Sequence, residues 1–136
     1  MTKMDMVWVA TANLLHPNTA SATTVTRAQI EAEVNRLFGA GINIPRVLID
    51  RHLVSFEDRQ ADHKIPERGG SRNRYLFRTV DGRAPSRQGH FRLYKTSDAT
   101  HDGGDKSGPT RPNPTNIDVP HRPLIPWYDD VYFRAP

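Results

Sequence analysis

Apolar residues recur at helical spacing near the start of the chain. From residue 5 to 15 one helical face carries apolar and small side chains, with Trp8 beside it: Val7, Ala10, Thr11, Leu14 and Leu15. This pattern predicts a first helix that ends at Pro17 and Asn18, because proline cannot continue a helix.

A second helix is predicted from Thr26 to Phe38. The sequence Thr-Arg-Ala-Gln matches a capping box, in which Thr26 and Gln29 bond to each other's backbone amides. An apolar stripe should face the core: Ile30, Val34, Leu37 and Phe38. Polar residues should face water: Glu31, Glu33, Asn35 and Arg36. Gly39 and Gly41 then end the helix.

A third helix is predicted from Ile44 to Phe56. Pro45 suits its first turn, and the inner side is formed by Leu48 or Ile49 together with Leu53 and Phe56. The outer side carries Arg46, Asp50 and Arg51.

Alternating side chains predict a β-hairpin from Tyr75 to Lys95 with one apolar face. Its strands are joined by residues 81–89, which contain two arginines and no large apolar group. Three helices followed by a hairpin predict a mainly α fold of the winged helix-turn-helix class, in which the hairpin is the wing. Residues 1–95 would form this domain.

The rest of the chain has a different character. Residues 96–119 are rich in turn-forming and disorder-promoting types and predict a linker, the start of an extended proline-rich tail. Residues 120–136 form an apolar segment that should dock, either on the first helix and Trp8 of its own domain, on a second copy in a homodimer, or on a partner protein. The docking residues would be Leu124, Ile125, Trp127, Tyr128, Tyr132 and Phe133.

Basic charge is concentrated in residues 44–95, which contain the third predicted helix and the hairpin. Residues 44–95 hold twelve Lys or Arg against six Asp or Glu, a net charge of +6, whereas the whole chain has a net charge of +4. Ten of those twelve are Arg, which favours bidentate contacts to phosphate or guanine. A solubilising surface is the alternative explanation.

Double-stranded DNA is the partner that this charge predicts. The expected contacts come from the third helix, the hairpin and the residues flanking them: Arg46, Asp50, Arg51, Arg72, Arg74, Arg83, Arg87 and Arg92. Arg46 and Asp50, four residues apart, could instead pair with each other on the helix surface.

Several function classes lack support. The chain has no Cys, no signal-peptide layout and no apolar stretch long enough to span a bilayer, so a cytoplasmic protein is expected. No motif for a cofactor or a resident metal was found, and an enzyme is not expected. A weak match to a metal-dependent nuclease site comes from a charged stretch: Glu57, Asp58, Asp62, His63 and Lys64. Such charge runs are more often simply solvated.

Four short motifs resemble a group of uncharacterised prokaryotic winged-helix domains. They are an I-x-x-x-V helix, an I-x-x-H-[IL] helix, a Y-L-[FY]-R-T strand and a [FY]-R-L-Y strand, found at residues 30–34, 49–53, 75–79 and 91–94. The resemblance covers about half of the chain and implies DNA binding in transcription regulation or in a restriction or defence context. This chain departs from the group in its polar insert at 57–73, its longer wing tip and its proline-rich tail. A protein-interaction or assembly module built on the winged fold is the alternative function.

Overall fold

A computed structural model describes residues 1–16, 23–46, 48–49, 54–56, 75–79, 90–95 and 110–133. This part of the chain is mainly helical, with a small sheet. In chain order its elements are α1 (Lys3–Leu15), β1 (Val25–Thr26), α2 (Arg27–Phe38), β2 (Val54–Phe56), β3 (Leu76–Thr79), β4 (His90–Leu93) and α3 (Leu124–Tyr128), which continues as a wider helical turn over Asp129–Phe133. Short 3₁₀ turns at Pro114–Asn116 and Val119–His121 precede α3.

Helix α1 confirms the first predicted helix and begins two residues earlier than expected. The hydroxyl of Thr2 accepts a hydrogen bond from the amide of Asp5 at 3.1 Å, which caps the start. The helix is buried around most of its circumference rather than along a single stripe, since Val9 and Ala12 are buried as well as Val7. Helix α2, strands β1 and β4, and α3 all pack against it.

Helix α2 confirms the predicted capping box. The Thr26 hydroxyl accepts from the Gln29 amide at 3.2 Å, and the Gln29 side chain accepts from the Thr26 amide at 2.8 Å. Gly39 ends the helix with its amide donating to the Asn35 carbonyl at 3.0 Å and with φ at +138°. Ile30 and Val34 are fully buried, as the apolar stripe predicts.

Glu33 was expected to face water, and this expectation is wrong. The residue is buried, and its carboxylate links the two long helices by accepting from Asn13 Nδ2 at 2.6 Å and from Arg36 Nε and Nη2 at 2.9 and 2.6 Å. The Arg36 bond is the main cause that lowers the pKa of Glu33 from its ordinary value of 4.5, with burial acting in the opposite direction. Periodicity could not show this, because the partner on α1 lies 20 residues away.

The sheet has the strand order β1-β4-β3-β2. Strands β3 and β4 form the predicted antiparallel hairpin, with Leu76 opposite Leu93 and Thr79 opposite His90. Strand β1 pairs antiparallel with β4 on one side, and β2 pairs parallel with β3 on the other. Neither β1 nor β2 was predicted.

The predicted helix from Ile44 to Phe56 is wrong at its carboxyl end. Its backbone is helical at Arg46, Leu48 and Ile49, but Val54–Phe56 form strand β2. A short apolar run fits a helix or a strand equally well, and here the β-branched and aromatic residues lie beside β3.

The hairpin is buried on both faces rather than on one. Phe91 and Leu93 face the core, and on the opposite face the Arg92 guanidinium lies 4.6 Å from the centre of the Phe77 ring. Arg92 and Phe77 occupy paired positions of β4 and β3, so the long side chain covers its cross-strand neighbour.

Residues 110–133 pack on the rest of the described structure. We call residues 110–133 the C-terminal segment. Ile117 is buried in the core and Arg111 forms an ion pair with Asp129 at 2.9 Å, so the last ten residues of the predicted linker belong to the folded structure. Residues 96–109 lie outside the described ranges. The docking site is the segment's own domain, where Tyr128 meets the edge of Trp8 with ring centres 5.7 Å apart.

Within the described ranges, no helix combines the length and apolar character needed to cross a membrane.

The carboxylate of Glu33 makes stability depend on pH. Because its folded pKa lies below the ordinary 4.5, its contribution is present above that value and is lost as the pH falls through the lower folded pKa. We expect Glu33→Gln to lower the free energy of unfolding at pH 7 by on the order of 1 kcal/mol, a value reduced by the exposure of Arg36.

Urea unfolding of both proteins at pH 7 and pH 3 measures this effect. The difference between wild type and variant should shrink at pH 3, and Glu31→Gln on the same helix serves as the matched control. An equal difference at both pH values would contradict the assignment.

Candidate nucleic-acid interface

The turn after α2 leads directly into a short helical stretch that includes Arg46, Leu48 and Ile49. The Ile42 amide donates to the Gly39 carbonyl at 3.2 Å, and the Leu48 amide donates to the Pro45 carbonyl at 3.0 Å. Ile44 and Ile49 are both buried in the core, so this stretch is anchored on one side. Between them, Pro45 and Arg46 are exposed to solvent.

Arg46 is the one predicted DNA-contacting residue that the described part of the chain places on the surface. It is exposed and lies between the two buried isoleucines, within the first turn of the helical stretch. Outward residues near the start of a second helix are the ones that reach base edges in helix-turn-helix proteins. Asp50 and Arg51 lie outside the described residues, and the alternative Arg46–Asp50 pairing stays a prediction.

The hairpin connection carries the predicted wing tip. Thr79 and His90 form the last described pair of the hairpin, so residues 80–89 join the two strands and include Arg83 and Arg87. These two arginines lie outside the described ranges, as do Arg72 and Arg74. Their roles stay predictions.

Arg92 does not fit the predicted contact with DNA. The residue is buried, its guanidinium stacks on Phe77, and its Nη1 donates to the Leu93 carbonyl at 3.0 Å. These contacts hold the charge inside the fold, so we remove Arg92 from the candidate interface.

The apolar residues proposed for a partner protein pack inside this chain. Leu124, Ile125, Tyr128 and Tyr132 are buried in the same core as α1. Trp127 is half-buried and packs edge-on with His16, with the two ring centres 5.3 Å apart. The side chain of Phe133 lies outside the described part. Dimer or partner binding through the segment stays a prediction, and most of its proposed contact surface is already covered.

The sequence alone does not predict the hydrogen bond of Tyr128 or the raised pKa of Tyr132. The Tyr128 hydroxyl donates to the Tyr94 carbonyl at 2.6 Å, which connects α3 to the end of β4. Burial raises the pKa of Tyr132 to about 12, while the nearby Arg92 charge acts in the opposite direction. A buried tyrosine needs a hydrogen-bond partner, but sequence alone does not tell which backbone carbonyl supplies it.

No group of three or more His, Cys, Asp or Glu side chains that could hold a metal ion occurs in the described ranges. The proposed nuclease residues at 57, 58 and 62–64 lie outside those ranges, so a metal site there stays an untested alternative.

Comparison of the chain with protein-family models, with curated proteins and with solved structures found no match.

The turn between α2 and the helical stretch that carries Arg46 depends on Gly39. Its φ of +138° is a conformation that side-chain-bearing residues rarely adopt, although an added Cβ would meet only Ile42 Cδ1 at 3.9 Å. We expect Gly39→Ala to lower the free energy of unfolding by about 1–3 kcal/mol through backbone strain.

Gly41→Ala is the matched control, because its added Cβ would meet no atom within 4 Å. It should leave stability unchanged or raise it by up to about 1 kcal/mol. Chemical denaturation of the two variants distinguishes them, and equal effects would refute a special role for Gly39.

Proposed function

We propose that this protein binds double-stranded DNA as a winged helix-turn-helix domain. The helical stretch that begins at Ile44 would enter the major groove, and the tip of the wing at residues 81–89, with Arg83 and Arg87, would contact the backbone. As the resemblance implies, the setting would be transcription regulation or a restriction or defence context.

The placement of β1 is the observation that carries this proposal. Strand β1 lies between α1 and α2 in the sequence and pairs with β4, the returning strand of the hairpin. The short strand therefore ties the segment between the first two helices to the hairpin that follows later in the chain. It fastens the hairpin to the helical half, so both can face one duplex.

Strand β2 shortens the helix that is proposed to enter the major groove. Because Val54–Phe56 pair with β3, the helix that begins near Ile44 must end before residue 54. About two to three helical turns are then available, given 3.6 residues per turn. Arg46 lies at the start of this shorter helix, where base contacts are usual.

Charge supports a polyanionic partner. The net charge of +6 over residues 44–95 contrasts with the net charge of −2 on the rest of the chain. The protein-interaction alternative is less well supported, since the described apolar residues of the C-terminal segment are mostly buried in their own core.

A duplex titration tests the proposal. If five to seven basic residues contact phosphates, the logarithm of the association constant should fall with the logarithm of salt concentration at a slope of about −4.5 to −6. Fluorescence anisotropy with a labelled random-sequence duplex measures this slope. The proposal fails if no binding is detected at low salt.

Substitution of Arg46 tests the proposed reading helix. We expect Arg46→Gln to weaken binding to a selected duplex by about 1–3 kcal/mol and to relax its base preference. Lys3→Gln removes the same charge from an exposed position in the first turn of α1 and should change the affinity less than about twofold. Equal losses in both variants would show that only total charge matters.

A further inference from the structure

We propose that the C-terminal segment positions the wing for DNA binding, by holding the carboxyl end of β4 through Tyr128. This inference rests on the proposed function, since it assigns a role to the segment within the same DNA-binding unit.

Strand β1 secures only the first half of β4. It pairs with His90 and Phe91, at the end of β4 next to the hairpin connection. Tyr94 directly follows the other end of β4. Its amide donates to the carbonyl of Tyr75, just before β3, at 3.3 Å, and its own carbonyl accepts from the Tyr128 hydroxyl at 2.6 Å. The C-terminal segment therefore contacts the end of β4 that β1 does not reach.

The position of the Tyr128 hydroxyl is fixed by packing of its ring. The ring is fully buried, meets Trp8 of α1 edge-on at 5.7 Å, and stacks on Tyr132 at 5.6 Å with an interplanar angle of 11°. Because aromatic rings packed in this way have little freedom to move, the hydrogen bond of the hydroxyl fixes the end of β4 relative to α1.

A second connection lies on the other face of the hairpin. The guanidinium of Arg92 lies over Phe77, so one β4 side chain also covers β3. Arg92 therefore connects β4 to β3, so a change in the position of β4 also affects β3.

The segment itself is held at several points. Arg111 contacts Asp129 with both Nε and Nη2, at 2.9 and 3.4 Å, which brings the two ends of the segment together. Ile117, which lies between Arg111 and Asp129 in the sequence, is buried in the core. The ring of His121 packs edge-on with Phe38 of α2, with ring centres 5.5 Å apart. These contacts make the segment a firm support for β4.

A fixed hairpin matters because wing and reading helix must engage one duplex together. Once the helical stretch with Arg46 is bound, the effective concentration of the hairpin at the same duplex depends on how well the hairpin is already oriented. Loosening the carboxyl end of β4 should therefore weaken the wing contacts and leave those of Arg46 intact.

Tyr128→Phe tests this positioning role, because it keeps the packed ring and removes only the hydroxyl. We expect the affinity of the full chain for a selected duplex to fall about five- to tenfold, with a shallower dependence on salt. Thr11→Val removes another buried hydroxyl, which donates to the Val7 carbonyl within α1 at 2.8 Å, and should leave the affinity unchanged.

Double-mutant cycles separate positioning from general destabilisation. In an Arg83→Gln/Arg87→Gln background, Tyr128→Phe should cause no further loss, because the wing contacts are already gone. In an Arg46→Gln background the full five- to tenfold loss should persist. A Tyr128→Phe loss of equal size in both backgrounds would overturn the positioning role.

Hydrogen exchange supplies a measurement that needs no DNA. In Tyr128→Phe, amides of residues 76–79 and 90–94 should exchange several-fold faster, whereas those of α2 should not change. Unchanged exchange in the hairpin overturns the inference even if the affinity falls. If wild type binds duplex and Tyr128→Phe binds equally well, this inference alone fails. If wild type binds no duplex, the proposed function fails and the inference falls with it.

Discussion

Burial of α1 on nearly all sides is the constraint on which the rest of the fold depends. Trp8 at its centre is completely buried, and its indole N–H has no acceptor among the described residues. Leaving that donor unpaired costs about 1–3 kcal/mol. Burying about 150–250 Å² of aromatic surface contributes roughly 4–6 kcal/mol, so packing outweighs the loss. A helix of this kind needs cover from α2, the sheet and the C-terminal segment together.

This shared cover brings the proposed DNA-binding parts into one unit. Strand β4 contacts α1, pairs with β1 and β3, and receives the Tyr128 hydroxyl at its end. Through these contacts, α1 supports the hairpin, while Ile44 and Ile49 attach the helical stretch that carries Arg46 to the same core. The two proposed contact regions therefore have a common support, although they lie far apart in sequence.

Local signals in the sequence predicted local structure well. The capping box at Thr26, the glycine stop at Gly39 and the β3–β4 hairpin are confirmed because each depends on neighbouring residues. Features that depend on residues far away in the sequence were missed or predicted wrongly. Strand β1 was missed because it has only two residues, and Val54–Phe56 form a strand because they pair with β3. Glu33 and Arg92 are buried by contacts with other elements, although both were expected to be accessible. Of the predicted DNA-contacting residues, Arg46 lies on the surface, Arg92 does not, and the others fall outside the described part.

Mapping where a duplex contacts the protein tests the proposed DNA-binding surface most directly. Amide chemical shifts of the full chain, followed by NMR during addition of duplex DNA, report contact residue by residue. If DNA binds as proposed, the largest changes fall at Arg46 and Leu48 and at the hairpin end marked by Thr79 and His90, with small changes in the first turn of α1 and at Pro114–Asn116. Changes concentrated in the C-terminal segment, with none at Arg46 or the hairpin end, would contradict it.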